Sequence, residues 1–146
     1  MEITKTETSD AKKLIREDPV RPEISAVRRT SDHFEMYHTG DPHTEGECQA
    51  VICIAFCKRV PINVEELLKS EPGTTAVFYS VWSYQNAPRA GQKIVFEAID
   101  LAKSRDMTRF VTMSPKTLMA TRFHTANGAK LLAENPETNN FEYNPN

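Results

Sequence analysis

A serine before a proline, a histidine ten residues later, and two basic residues at a helix start are the groups in this chain whose types and spacing could do chemistry: Ser114, His124, Arg89 and Lys93. Ser114 ends the run Phe110-Val111-Thr112-Met113-Ser114-Pro115. It follows a predicted strand, at the carboxyl end of a sheet, where ligand crevices form in α/β folds. His124 lies in Arg122-Phe123-His124-Thr125-Ala126-Asn127-Gly128-Ala129, and an imidazole can exchange a proton with a substrate near neutral pH. The loop Gln85-Asn86-Ala87-Pro88-Arg89-Ala90-Gly91-Gln92-Lys93 leads from an apolar run into a helix start. Unpaired N–H groups and the helix dipole there favour a phosphate, and Arg89 and Lys93 can add charge-assisted contacts. The loop is not a Walker loop, because it lacks the second glycine and the Gly-Lys-Ser/Thr ending. Each feature has a plainer reading: a βα turn with solvated basic residues, a Ser-Pro turn starter, and a structural helical histidine.

The elements that must position these groups follow from patterning. Residues 75–83 are rich in β-branched and aromatic types (Val77, Phe78, Tyr79, Val81, Trp82) and read as a central strand. Residues 91–104 carry Ile94, Val95, Ala98, Ile99 and Ala102 at helical spacing, and 109–113 is again strand-like. Strand, helix and strand imply a right-handed crossover. Residues 118–127 form a predicted helix that Gly128 ends, since glycine accepts the left-handed conformation. A closing hairpin pairs 129–133 with 140–143. Trp82 and Tyr84 flank the anion loop, either as core or as walls of a ligand channel.

In the first half, Ser9 and Asp10 can cap a short helix that Pro19 and Pro22 end, and the first dozen residues are polar. Two short strands are expected at 24–26 and 33–37, joined by a turn-rich segment, 39–46, to an almost wholly apolar strand at 49–58. Asn63 can cap the next helix, with Glu66 completing a capping-box-like pair, and Pro72 and Gly73 stop it. A polar segment with a short helix, 1–22, thus precedes one mixed α/β domain, 23–146, with helices covering a curved sheet of six or seven strands.

Composition narrows the classes. With 146 residues and 39% hydrophobic content, one core is possible and two are not. Eighteen basic and 20 acidic residues are scattered, which argues against nucleic-acid or anionic-membrane binding. The longest apolar run, 50–57, is too short to span a membrane, and no apolar signal segment opens the chain, so the expected location is cytoplasmic. Cys48, Cys53 and Cys57 crowd one predicted strand and read as buried thiols. His33, His38, His43, Asp41, Glu45 and Cys48 gather near the first hairpin without ligand-pair spacing, so no metal is expected.

Four stretches together resemble the catalytic domain of malonyl-CoA decarboxylases, a branch of the GNAT acyltransferase fold. They are Val60-Pro61-Ile62-Asn63-Val64-Glu65-Glu66-Leu67-Leu68, Thr75-Ala76-Val77-Phe78-Tyr79-Ser80-Val81, Phe110-Val111-Thr112-Met113-Ser114-Pro115 and Phe123-His124-Thr125-Ala126-Asn127-Gly128-Ala129. Their order and rough spacing agree from 47 to 132. The resemblance implies a single GNAT-like domain with a coenzyme A thioester as substrate and no prosthetic group. It implies Ser114 and His124 as the catalytic pair, with Asn127, Gly128 and Tyr143 in support. Backbone groups of Val81, Trp82 and Ser83 would pair with pantetheine. Amides of Ala90, Gly91, Gln92 and Lys93, with Arg89, would hold the pyrophosphate.

The sequence departs from the family pattern in three places. A long helical domain that precedes this one in the family has no counterpart in these residues. The anion loop is shorter, with Ala87, Pro88 and Arg89 where the family has glycines, and the family's terminal segment is reduced to Asn140-Phe141-Glu142-Tyr143. Two alternatives stay open. One is a GNAT N-acetyltransferase, with His124 four residues before Gly128 and Glu47 the nearest candidate base; the other is a non-catalytic acyl-CoA-binding or interaction module. Edge strands of such a sheet are open to pairing in a homodimer.

Overall fold

Apolar and β-branched runs set the centre of the sheet. The computed structural model describes residues 3–44, 46–84, 87 and 89–145. Strands β1 (Thr4–Lys5), β2 (Phe34–Thr39), β3 (Ala50–Cys57) and β4 (Thr75–Ser83) are followed by β5 (Arg109–Thr112), β6 (Ser114–Pro115), β7 (Lys130–Glu134) and β8 (Thr138–Tyr143). The sheet runs β1-β2-β3-β4-β5-β8-β6, with β7 on the other edge of β8. All eight residues of β3 are buried, as expected of a strand covered on both faces. Among the described residues the only parallel pair is β4 with β5, and the 15-residue helix α4 makes the crossover that such a pair requires. Helices are numbered α1 (Thr8–Leu14), α2 (Ala26–Arg29), α3 (Val64–Leu68), α4 (Ala90–Ser104) and α5 (Leu118–Ala126).

Two apolar layers sandwich the sheet. On one face Ile94, Val95, Ala98 and Ile99 of α4 pack on Ile52, Ile54, Phe78 and Phe141. On the other, Leu14 of α1, Ala26 of α2 and Leu67 of α3 pack on Cys53, Val77, Tyr79 and Met113. Cys48, Cys53 and Cys57 are buried free thiols, and burial pushes Cys48 and Cys53 up to about 11. Among the described residues no helix is long and apolar enough to cross a membrane.

Several expected elements sit where local chemistry puts them. Asn63 Oδ1 accepts the Glu66 amide at 2.8 Å, and Glu66 reaches back to the Ile62 amide at 3.0 Å, closing the start of α3. Gly40, at φ 80°, ends β2, and a Cβ there would stand 1.9 Å from the Glu47 carbonyl oxygen, so no larger residue fits.

Three expectations change. The segment at 24–26 is no strand: Ser25 caps α2 by accepting the Arg28 amide at 3.2 Å, and Ala26 and Arg29, three apart, turn inward. Helix α1 begins at Thr8 after Glu7, earlier than the Ser9-Asp10 start, with no side-chain cap. Among the described residues the sheet has eight strands, because β1 and β6 are two-residue pairings too short to carry a pattern.

Candidate functional site

The site begins where β4 leaves its neighbour. β4 and β5 stay in register from Thr75↔Arg109 to Phe78↔Thr112, and the Met113 amide gives a last bond to the Phe78 carbonyl at 3.0 Å. On its other side, the β3 register passes from Cys53↔Ser80 to Ile54↔Phe78, leaving Tyr79 as the extra residue of a bulge. A bulge bends its strand and increases its twist. Beyond Phe78 the β4–β5 pairing ends, and a cleft of about 280 Å3 opens between the end of β4, the start of α4, Pro115 of β6 and α5.

Four of the expected ligand residues meet in that cleft: Val81, Trp82, Ser83 and Gly91. A Cβ on Gly91 would touch the Phe123 ring at 3.5 Å and Ser83 Oγ at 3.6 Å, which places the start of α4 against the cleft wall. Sequence reasoning missed Pro19 and Val20, which close one side, and Met119 and Phe123 on α5. The lining carries no ionisable side chain among the described residues. Hollows of about 460 Å3 lie elsewhere on the surface, but they are lined by mixed charges away from these groups.

Ser114 and His124 do not themselves line the cleft; their chain neighbours Pro115 and Phe123 do. Ser114 is buried on β6 and donates to Thr112 Oγ1 at 2.7 Å, while Thr112 Oγ1 also accepts the Phe141 amide at 3.0 Å. His124 is buried on α5 with Nδ1 2.8 Å from the Tyr143 hydroxyl. Asn127 Nδ2 approaches the same hydroxyl at 3.4 Å. The Tyr143 hydroxyl can accept from Asn127 and donate its own proton to Nδ1, an arrangement in which the imidazole proton sits on Nε2. Burial pulls His124 down to about 4 and pushes Tyr143 up to about 12, so both are neutral at pH 7. No direct hydrogen bond joins Ser114 to His124 among the described residues.

The expected anion residues separate into two groups. Ala90 and Gly91 are buried at the start of α4, whereas Arg89 and Lys93 are exposed. Arg89 is the N-cap residue and holds φ 64°, a left-handed conformation that costs a non-glycine residue roughly 1–2 kcal/mol. No side chain among the described residues caps this helix. Gln85, Asn86 and Pro88 of the loop, and Glu45 of the first hairpin, lie outside the described residues. Glu47, the candidate base, is exposed and stands in the β2–β3 connection, outside the cleft lining.

A buried polar group behind the parted strand was not legible from pattern. Arg29, with no exposed surface, pairs with Asp18 at 2.6 Å and donates Nε to the Ile24 carbonyl at 2.9 Å. Ser80 Oγ, just past the bulge, lies 2.9 Å from both Asp18 carboxylate oxygens. Arg21 donates to the Met113 carbonyl at 2.9 Å, where β5 gives way to β6. The segment 18–29 is thereby tied to both strands that diverge. Among the described residues no three His, Cys, Asp or Glu side chains gather as a metal site.

A mixed sheet whose central parallel pair parts beside a helix start decides the architecture. The fold is GNAT-like. A malonyl-CoA decarboxylase from Rhodopseudomonas palustris superposes with a TM-score of 0.70 at 18% identity, covering 97% of this chain and 59% of that one. A Bacillus subtilis acetyltransferase in complex with CoA gives 0.61 at 13% identity, covering 97% and 94%. The PaiA N-acetyltransferase from Thermoplasma acidophilum, in complex with coenzyme A, gives 0.66 at 12% identity, covering 97% and 96%. The chain therefore spans about three-fifths of the decarboxylase and nearly all of each acetyltransferase. No protein-family model matches the sequence, and no curated protein matches it.

Proposed function

We propose that this chain is an acyl-CoA enzyme of the malonyl-CoA decarboxylase type, converting malonyl-CoA to acetyl-CoA and CO2. The observation that carries the reading is the parting of β4 from β5 beyond Phe78, beside the start of α4, with Ser114 and His124 each one residue from the cleft wall. Pantetheine runs along the free edge of Val81, Trp82 and Ser83. The pyrophosphate meets the amides of Ala90, Gly91, Gln92 and Lys93, with Arg89 adding charge. The decarboxylase and acetyltransferases of the same fold support a CoA thioester as the substrate class.

Decarboxylation breaks the bond between the malonyl carboxylate and the α-carbon; the electron pair moves onto the thioester as an enolate, CO2 departs, and the carbon takes a proton. A cleft wall without ionisable groups among the described residues favours this step, because the negative charge spreads from a poorly solvated carboxylate into the thioester. Ser114 holds the carboxylate or relays the proton after turning from Thr112. His124 delivers its Nε2 proton to the carbon while the Tyr143 hydroxyl, steadied by Asn127, passes its own proton to Nδ1, so the imidazole stays neutral and solvent returns a proton to the Tyr143 oxygen. The test is mass spectrometry of malonyl-CoA incubated with wild type, Ser114→Ala and His124→Ala, with no amine present. Acetyl-CoA formed by wild type and reduced about 100-fold or more in both variants is the expected result. Intact malonyl-CoA with wild-type protein overturns this reading.

A second reading, N-acetyl transfer, is favoured by one observation: the acetyltransferases are matched over nearly their whole length. It predicts CoA release from acetyl-CoA only when an amine is supplied.

A further inference from the structure

The two terminal edges of the sheet differ. β1 is two residues long and polar, a short edge of the kind that resists pairing. β7 is five residues long, Lys130-Leu131-Leu132-Ala133-Glu134, and among the described residues pairs on one side only, with β8. Leu131 and Leu132 are 50% and 43% exposed. No proline or charge interrupts the three inner positions. Leu132 is the extra residue of a bulge and has no counterpart in β8. Leu131 stands opposite Phe141, which places it on the face where Phe96 of α4, also exposed, packs edge-on against Tyr143.

We infer that this edge pairs with β7 of a second copy of the chain in a two-fold, antiparallel homodimer. The charge pattern supplies the choice of partner. An antiparallel pair centred on Leu132 sets Lys130 against Glu134 of the other copy at both ends, Leu131 against Ala133, and Leu132 against Leu132. The segment is thus complementary to itself in one register. A one-residue slip takes both charges away from their partners and moves alternate side chains to the other face. Two-fold pairing closes the assembly at two copies, because each β7 has one free edge.

The inference does not depend on the catalytic reading and is tested by sedimentation equilibrium across a concentration series, with circular dichroism to verify folding. Wild type is expected to sediment as a dimer. Leu132→Glu, which sets like charges face to face, and Lys130→Glu, which opposes two glutamates, are expected to weaken dimerisation at least tenfold with the fold unchanged. The double variant Lys130→Glu with Glu134→Lys restores the dimer, since reversing both charges restores complementarity. A wild-type monomer at every concentration overturns the inference, as does a dimer that neither single substitution weakens.

Discussion

The two halves of β4 are built on different physics. From Thr75 to Phe78 the strand is hydrogen-bonded to β3 and β5 and packed between apolar layers. From Ser80 to Ser83, past the unpaired Tyr79, it pairs among the described residues with β3 alone and is steadied from behind by Ser80 on the Asp18–Arg29 ion pair. A strand that opens a cleft gives up one ladder of hydrogen bonds, and a buried charge pair ties it from another direction. Such a pair contributes little net stability against an apolar replacement, yet losing one partner is severe. The closed half is held by packing and the open half by polar geometry.

The largest effects separate those two mechanisms. Phe78→Ala, in the closed half, is expected to cost about 3–5 kcal/mol through cavity formation. CoA binding per folded molecule should stay near wild type, measured by urea unfolding alongside titration. Asp18→Ala is expected to cost about 3–5 kcal/mol by leaving Arg29 charged and buried, and also to lower ligand affinity. If the comparison holds, Asp18→Leu with Arg29→Met recovers part of that stability without recovering affinity, because no buried charge remains but the tie to Ser80 is gone.

A pH series gives the next effect in size. The fold lowers His124 from 6.5 to about 4, so the unfolded chain binds the proton more readily between those values. Stability contributed by the neutral imidazole is complete above pH 6.5 and is lost as pH falls through about 4. The loss is on the order of 3 kcal/mol. His124→Gln should flatten most of that slope in thermal unfolding measured from pH 7 to pH 4. His33 and His38, both lowered chiefly by burial, leave a residual slope. The smallest effect is Ser80→Ala, about 1 kcal/mol for a lost hydrogen bond. An unchanged value would remove Ser80 from the tie.

Legibility in the sequence followed the range of the interactions. β3, β4 and α4 were readable because burial of a whole element imprints every residue, as in Ala50–Cys57. Ser114, His124 and the start of α4 stood out as candidates by residue type beside an element boundary. The bulge at Tyr79 left no local signal, since the residue suits a regular strand equally well. Asp18, Arg29 and Ser80 looked like ordinary polar positions, and only tertiary approach across 62 residues makes them one group. Pro19 and Val20 belong to a segment that read as a polar prelude, yet they wall the cleft. The same segment is held in the sheet by β1 pairing with β2 and by buried Ala11 and Leu14.

The most direct test of the central claim, that the parting of β4 from β5 forms a CoA-thioester site, is calorimetric titration of CoA into wild type and Gly91→Leu. Gly91 faces the cleft beside Phe123 and Ser83, and its backbone φ is open to any residue. A leucine there fills the space with little strain on the helix. The account predicts saturable binding by wild type, with affinity reduced at least tenfold in Gly91→Leu at unchanged thermal stability. Equal affinity in the two proteins would place the ligand elsewhere and contradict it.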